Sequence, residues 1–283
     1  MRVSRLHRDG LVLDVRDAGP EAGEPVVLLH GFPADSSCWD LVAPRLHGAG
    51  LRTLAPDQRG YSPGARPRGR AAYRVRELVG DALALLDAAG LPAAHVVGHD
   101  WGGAVAWALA AAAPDRVRSL TVLSTPHPAA LVRAVVGGDQ ALRSAYMAVF
   151  QLPVLPEWLL GRRLEGLLRR SGLPAEPAAR YSARLAEPGA LSAALGWYRA
   201  VPLSWREPTG RVRVPTTYLW GERDGALGPR AAKDTARYVL APYEFRRLAA
   251  GHWLPERHPD EVADAVLARV RGVGSSWQAG HRE

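Results

Sequence analysis

The sequence predicts an α/β protein, built as a mostly parallel open sheet flanked by helices, with a helical lid inserted late in the chain. Three observations carry this. Short apolar runs of strand length alternate with longer segments of helical period. The alternation stops between about Ala129 and Arg213, where Pro153, Pro156, Pro174, Pro177, Pro188, Pro202 and Pro208 punctuate short helical pieces, and it resumes at Val214. The chain has 283 residues, 47% hydrophobic and 23% charged, which suits one large α/β domain and excludes a disordered, collagen-like or coiled-coil protein. We therefore expect a core from residues 1–128 and 214–283 and a cap from residues 129–213. An insertion after one strand of an open sheet lies over the carboxyl ends of the strands, where such sheets place their sites.

Taken in order, Leu11–Val15, Val26–His30, Leu51–Ala55, His95–Gly98, Leu120–Ser124, Thr216–Trp220 and Tyr243–Leu248 read as strands. Val75–Ala89 carries Leu78, Val79, Ala82, Leu83 and Leu86 at helical spacing and stops at Gly90 with Pro92 beyond. Trp101–Ala113 is a helix ended by Pro114. Arg230–Leu240 and Pro259–Val270 make the last two, and Gly272–Glu283 should fray.

Composition narrows the function classes. One cysteine, Cys38, excludes a disulfide framework and any multi-cysteine metal site. The net charge is +8, yet the arginines are scattered, Lys233 is the only lysine, and no aromatic row adjoins them. That pattern is an arginine bias rather than a nucleic-acid footprint. The first ten residues have no apolar core or small-residue cleavage site, and the longest apolar run, Ala104–Ala113, is too short to span a bilayer. No nucleic-acid or membrane partner and a cytoplasmic setting are expected.

Val96-Val-Gly-His-Asp-Trp-Gly-Gly103 is the strongest chemical signal. An apolar strand runs into Gly98-His99-Asp100-Trp101-Gly102 and straight into a helix, the G-x-Nu-x-G elbow with aspartate as the nucleophile. The glycines permit the sharp turn, and the helix N-terminus favours an ionised carboxylate. Aspartate also caps helices, but capping alone does not require the two-glycine frame. His30-Gly31-Phe32-Pro33 closes an earlier strand. Its Phe32 amide, with that of Trp101, would form an oxyanion hole, and a cis bond before Pro33 fits the turn. The acid and then the histidine should follow in chain order. Asp224 in Trp220-Gly-Glu-Arg-Asp224 is preferred to Glu222 as the acid, and His252 in Ala250-Gly-His252-Trp-Leu254 as the water-activating base. The remaining histidines read as surface or incidental residues.

The segments HGFP, DQRGYS, GHDWGG, WGERD and GHWLPE together resemble the α/β-hydrolase-fold epoxide hydrolases, from about Val12 to Val270. Asp57–Ser62 then reads as a structural turn buttressing the oxyanion loop. GHDWGG is shared with haloalkane dehalogenases, so the choice falls to the lid. Ala145–Pro153 resembles the motif in which a tyrosine precedes FQ-x-P, and Gly196-Trp-Tyr-Arg199 resembles the Trp-Tyr-Arg motif. The resemblance implies that Tyr146 and Tyr198 donate to the epoxide oxygen, which must leave as an alkoxide.

A dehalogenase needs side-chain N–H donors for halide, and Phe32 offers none. A fluoroacetate dehalogenase carries arginine directly after the nucleophile, where this chain has Trp101. An esterase would carry serine or cysteine at position 100. A binding-only relative should have lost a catalytic group, and none is missing. The reading is an epoxide hydrolase forming an alkyl-enzyme ester on Asp100, with a haloalkane dehalogenase or another hydrolase using the same aspartate as the alternative. Its substrates would be a small apolar epoxide and water, met by lid side chains such as Met147, Phe150 and Trp158. No metal or organic cofactor is implied, and a monomer or homodimer is expected.

Overall fold

A computed structural model describes residues 2–137, 140–204 and 207–279. Its sheet contains β1 (Arg5–Arg8), β2 (Leu11–Ala18), β3 (Glu24–Leu29), β4 (Leu51–Pro56), β5 (Ala94–His99), β6 (Val117–Leu123), β7 (Thr216–Gly221) and β8 (Tyr243–Leu248), in the order β1-β2-β4-β3-β5-β6-β7-β8. β1, β2 and β4 pair antiparallel, and every pairing from β4 through β3 to β8 is parallel. The central strands β5 and β7 are buried along their whole length, as expected where helices cover both faces.

The predicted class is the observed one, with three local differences. β1 escaped the sequence reading because only Leu6 of Arg5–Arg8 points into the core. Its charged remainder suits the sheet edge it occupies. The expected helix Arg230–Leu240 is a short α-helix, Pro229–Asp234, followed by a 3-10 turn, Thr235–Tyr238. The last helix does not stop before Gly272 but runs over Pro259–Ala279. In the sequence, Val266, Val270 and Val273 carry the helical spacing past that glycine.

Between β6 and β7 the described elements are all helices: Pro128–Gly137, Gln140–Arg143, Tyr146–Val149, Leu155–Gly161, Leu164–Arg170, Ala175–Leu185 and Ala190–Ser204. They share one contiguous apolar cluster with the core, through residues such as Tyr181 and Trp197. Polar ties reinforce this. The Trp197 indole donates to Arg59 O at 2.7 Å, and the Tyr181 hydroxyl donates to Glu256 Oε1 at 2.9 Å. Below them the buried Arg59 guanidinium grips Asp81 with two bonds of 2.7 and 2.8 Å. That pair fixes the turn after β4 onto the helix Val75–Ala88.

Candidate active site

The site grows from the carboxyl ends of β3, β5, β7 and β8. After β5, Asp100 takes φ 51° and ψ −121°, a conformation costing an L-residue about 1–3 kcal/mol. The surroundings hold it there. Its N–H donates to Leu123 O at 3.3 Å, and its carbonyl accepts from Thr125 Oγ1 at 2.7 Å and Ala104 N at 3.1 Å. A Cβ at Gly98 would overlap the Gly102 backbone, and one at Gly102 would overlap the carbonyls of Leu29 and His30. The glycine frame is therefore steric, and it aims the Asp100 side chain above the sheet.

The β3 loop supplies the other half of the elbow. The Phe32–Pro33 bond is cis, and the Phe32 amide donates to Asp100 Oδ1 at 2.8 Å. The Trp101 amide, at the start of the helix, adds to the pull that favours the charged carboxylate. Buried His30 locks this loop to the segment after β4, because its Nε2 accepts from Gln58 N at 3.0 Å while its Nδ1 lies 3.1 Å from Gly31 O. With Nε2 an acceptor, the proton sits on Nδ1, and burial holds the ring's pKa below its ordinary value.

Past β7, the Asp224 carboxylate is wholly buried and accepts from Ala226 N at 2.8 Å and Leu227 N at 3.1 Å through Oδ1. Its Oδ2 accepts from His252 Nδ1 at 2.8 Å. Glu222 instead sits partly exposed 3.4 Å from Arg247. The opposite nitrogen of His252, Nε2, faces Asp100 Oδ2 at 3.6 Å. Burial opposes charge on this imidazole, but Asp224 and Asp100 outweigh it and raise its pKa well above the ordinary range. Burial likewise pushes the Asp100 carboxyl up, yet His252, His99 and the Trp101 amide leave it lower than usual. His252 thus stands between two carboxyl groups, and both favour its protonated form.

Over Asp100 stands an aromatic wall. Tyr198, on the helix Ala190–Ser204, is buried with edge contacts to Phe150 at 4.9 Å, Trp101 at 5.0 Å, Phe32 at 5.3 Å and Tyr146 at 6.0 Å. Both phenols are pushed up in pKa, first by desolvation and then by neighbouring groups including Asp100. They are therefore neutral donors at ordinary pH.

Of the three lid side chains expected near substrate, the structure brings Phe150 into this wall and leaves Met147 partly buried beside the core. Trp158 is 71% exposed and joins none of the described ring contacts, because its helix, Leu155–Gly161, turns it outward.

Sequence reasoning missed three supporting residues. Gln151 Nε2 donates to Tyr198 O at 2.7 Å, and Arg199 Nε donates to Phe150 O at 3.1 Å. The two tyrosine-bearing segments thus clamp each other. The signal was present, since Gln151 and Arg199 belong to the motifs themselves. His99, read as incidental, is fully buried, with its ring 5.0 Å from that of His252 and its Nε2 donating to His252 O at 3.0 Å. Burial, then the His252 charge, lowers its pKa to about 4, so it stays neutral. His7 is exposed, while His47, His95, His127 and His258 bond to Thr53, Ser119, Gly210 and Glu261. His281 lies outside the described residues. Among the described residues no three His, Cys, Asp or Glu side chains cluster to hold a metal ion.

Comparison with known proteins agrees with this architecture. The α/β hydrolase fold family matches residues 24–259. The chain is 36% identical to the AB hydrolase superfamily protein YfhM of Bacillus subtilis, over 94% of this chain and 96% of that one. It is 34% identical to Epoxide hydrolase A of Mycobacterium tuberculosis, again over 94% and 96%. The crystal structure of Epoxide Hydrolase A from Mycobacterium thermoresistibile superposes with a TM-score of 0.82 at 29% identity, covering 95% of this chain and 97% of that one. The chain belongs to the α/β-hydrolase-fold family and is a hydrolase enzyme of it, standing among relatives that bear the name epoxide hydrolase.

Proposed function

We propose that this enzyme opens a small apolar epoxide to a vicinal diol through a covalent ester on Asp100, beneath a lid formed by residues 129–213. The observation that carries the reading is the division of labour around one carboxylate. Oδ1 rests on the Phe32 amide at 2.8 Å, while Oδ2 is left facing His252 and the paired phenols lie overhead. Oδ2 attacks an epoxide carbon as Tyr146 and Tyr198 bond the ring oxygen. The C–O bond breaks, and a phenol proton neutralises the alkoxide.

The ester carries no charge, so His252 loses one of the two anions that kept it protonated. With Asp224 still orienting Nδ1, its Nε2 proton passes to the phenolate left by ring opening, and the neutral imidazole becomes a base able to take a proton from water. That water adds to the Asp100 carboxyl carbon. Oδ1 bears the developing negative charge against the Phe32 and Trp101 amides, and the diol leaves as the carboxylate re-forms. The Trp101 ring packs edge-on against Tyr198 at 5.0 Å, beside the phenol pair that an epoxide oxygen requires. This favours epoxide over haloalkane.

The test follows oxygen. In a single turnover in ¹⁸O-water with enzyme in excess, the diol should be unlabelled and the label should appear in the peptide containing Asp100. Full label in the first-turnover diol would mean that water opens the ring directly. Halide release outpacing diol formation across an epoxide and haloalkane panel would reverse the substrate class.

A further inference from the structure

Ten of the thirteen large apolar side chains that stand exposed among the described residues fall between Val132 and Trp158. Val136 is 83% exposed, Leu142 84% and Val154 74%, far more open than residues needed only for packing. This stretch adjoins concentrated positive charge. Arg133 lies on the same helix as Val132 and Val136, Pro128–Gly137, and that helix packs on the helix Pro229–Asp234. Arg133, Arg230, Lys233 and Arg237 together line a surface cleft of about 490 Å³. The acid lining that cleft, Asp234, is 3.3 Å from Arg237. From Pro128 to Pro156 the sequence itself has one acidic residue, Asp139, and the whole chain carries +8.

We propose that this face docks on an anionic lipid surface, with Val136 and Leu142, on two helices packed together, entering the boundary between headgroups and acyl chains while the Arg133–Lys233 cleft meets the phosphates. Apolar side chains beside cations are what such a boundary accommodates, and each surface cation adds attraction to anionic lipid. No described helix is long and apolar enough to cross a membrane, and surface docking needs none. A second copy is the less favoured occupant, because an isologous pairing would bring like-charged clefts together. Tyr146 lies in the same stretch and is 41% exposed, so docking would bring the epoxide site to the lipid boundary. That consequence rests on the reading of the site given above, whereas the docking itself does not.

Flotation of the whole protein with phosphatidylcholine vesicles, with and without phosphatidylglycerol, tests the docking without any turnover. Binding should require phosphatidylglycerol and weaken as salt rises. Arg133→Glu with Lys233→Glu should weaken it by about tenfold or more. Val136→Ser with Leu142→Ser should weaken it as well, while circular dichroism stays unchanged. The charge variants alter only surface positions and keep the test decisive if the apolar pair fails to fold. Binding that is absent, indifferent to phosphatidylglycerol, or untouched by the charge reversals would overturn the proposal. So would light scattering showing a dimer that Leu142→Ser dissociates, since the face would then belong to a second copy.

Discussion

The electrostatic coupling between Asp100 and His252 can be isolated by Asp100→Asn, which keeps the shape of the side chain and removes its charge. At 3.6 Å the pair interacts by about 4–5 kcal/mol at an effective dielectric of about 20. The side chains remain 13% and 19% exposed, so solvent screening reduces the expected effect below that figure. The native His252 pKa lies well above 6.5, raised by Asp224 and Asp100 against burial. The variant should bring it down while Asp224 keeps it from collapsing.

Ring resonances of His252, assigned by comparison with His252→Gln, would report the titration by NMR, with the protein mass checked to show that the introduced amide has not hydrolysed back to the acid. Stability should move in step. A histidine with a raised folded pKa contributes stability fully present below its unfolded value near ~6.5, and that contribution is lost as pH rises through the folded pKa. The variant should therefore lose it at lower pH than the parent. The Asp100 carboxyl, lowered on balance, adds stability above its unfolded value that disappears as pH falls through the folded one, and only the parent should show this. A His252 pKa unmoved by the substitution would refute the claim that esterifying Asp100 is what frees the base.

Three further outcomes follow from the same geometry. Tyr146→Phe or Tyr198→Phe should slow epoxide opening, followed by stopped-flow, by on the order of ten- to a thousandfold, and the double variant should nearly abolish it. His252→Gln should react once and stall with a mass gain equal to the substrate, whereas Asp100→Ala should never gain mass. An unlabelled His252→Gln protein would argue against a covalent route. Gly102→Ala would drive a methyl into the Leu29 and His30 carbonyls, so a loss of about 1–3 kcal/mol or more is expected in chemical denaturation. An unchanged midpoint would show that the elbow relaxes at little cost.

Much of the candidate site was legible in the sequence because its parts are local. Gly98 and Gly102 announce a turn that only small residues can make, and the position between them is the one such a turn exposes. Chain order then singled out Asp224 and His252, since strands of a parallel sheet deliver their loops to one edge. The two tyrosines were found through their neighbours, and those neighbours, Gln151 and Arg199, hold the tyrosine segments together.

What the sequence alone determined was the class of fold, the order of the strands from β2 to β8, and the elbow, all set by local periodicity and glycine sterics. Distances between residues far apart in the chain were decided only by tertiary structure. His99 looked incidental until folding placed its ring against His252 across 153 positions and gave its N–H the His252 carbonyl. Trp158 read as a substrate contact, yet its outward direction depends on how one short helix docks. The cationic cleft joins Arg133 to Lys233 only because two helices remote in sequence pack together. Periodicity records which side of an element is apolar, but which neighbour that side meets depends on the packing of the whole chain.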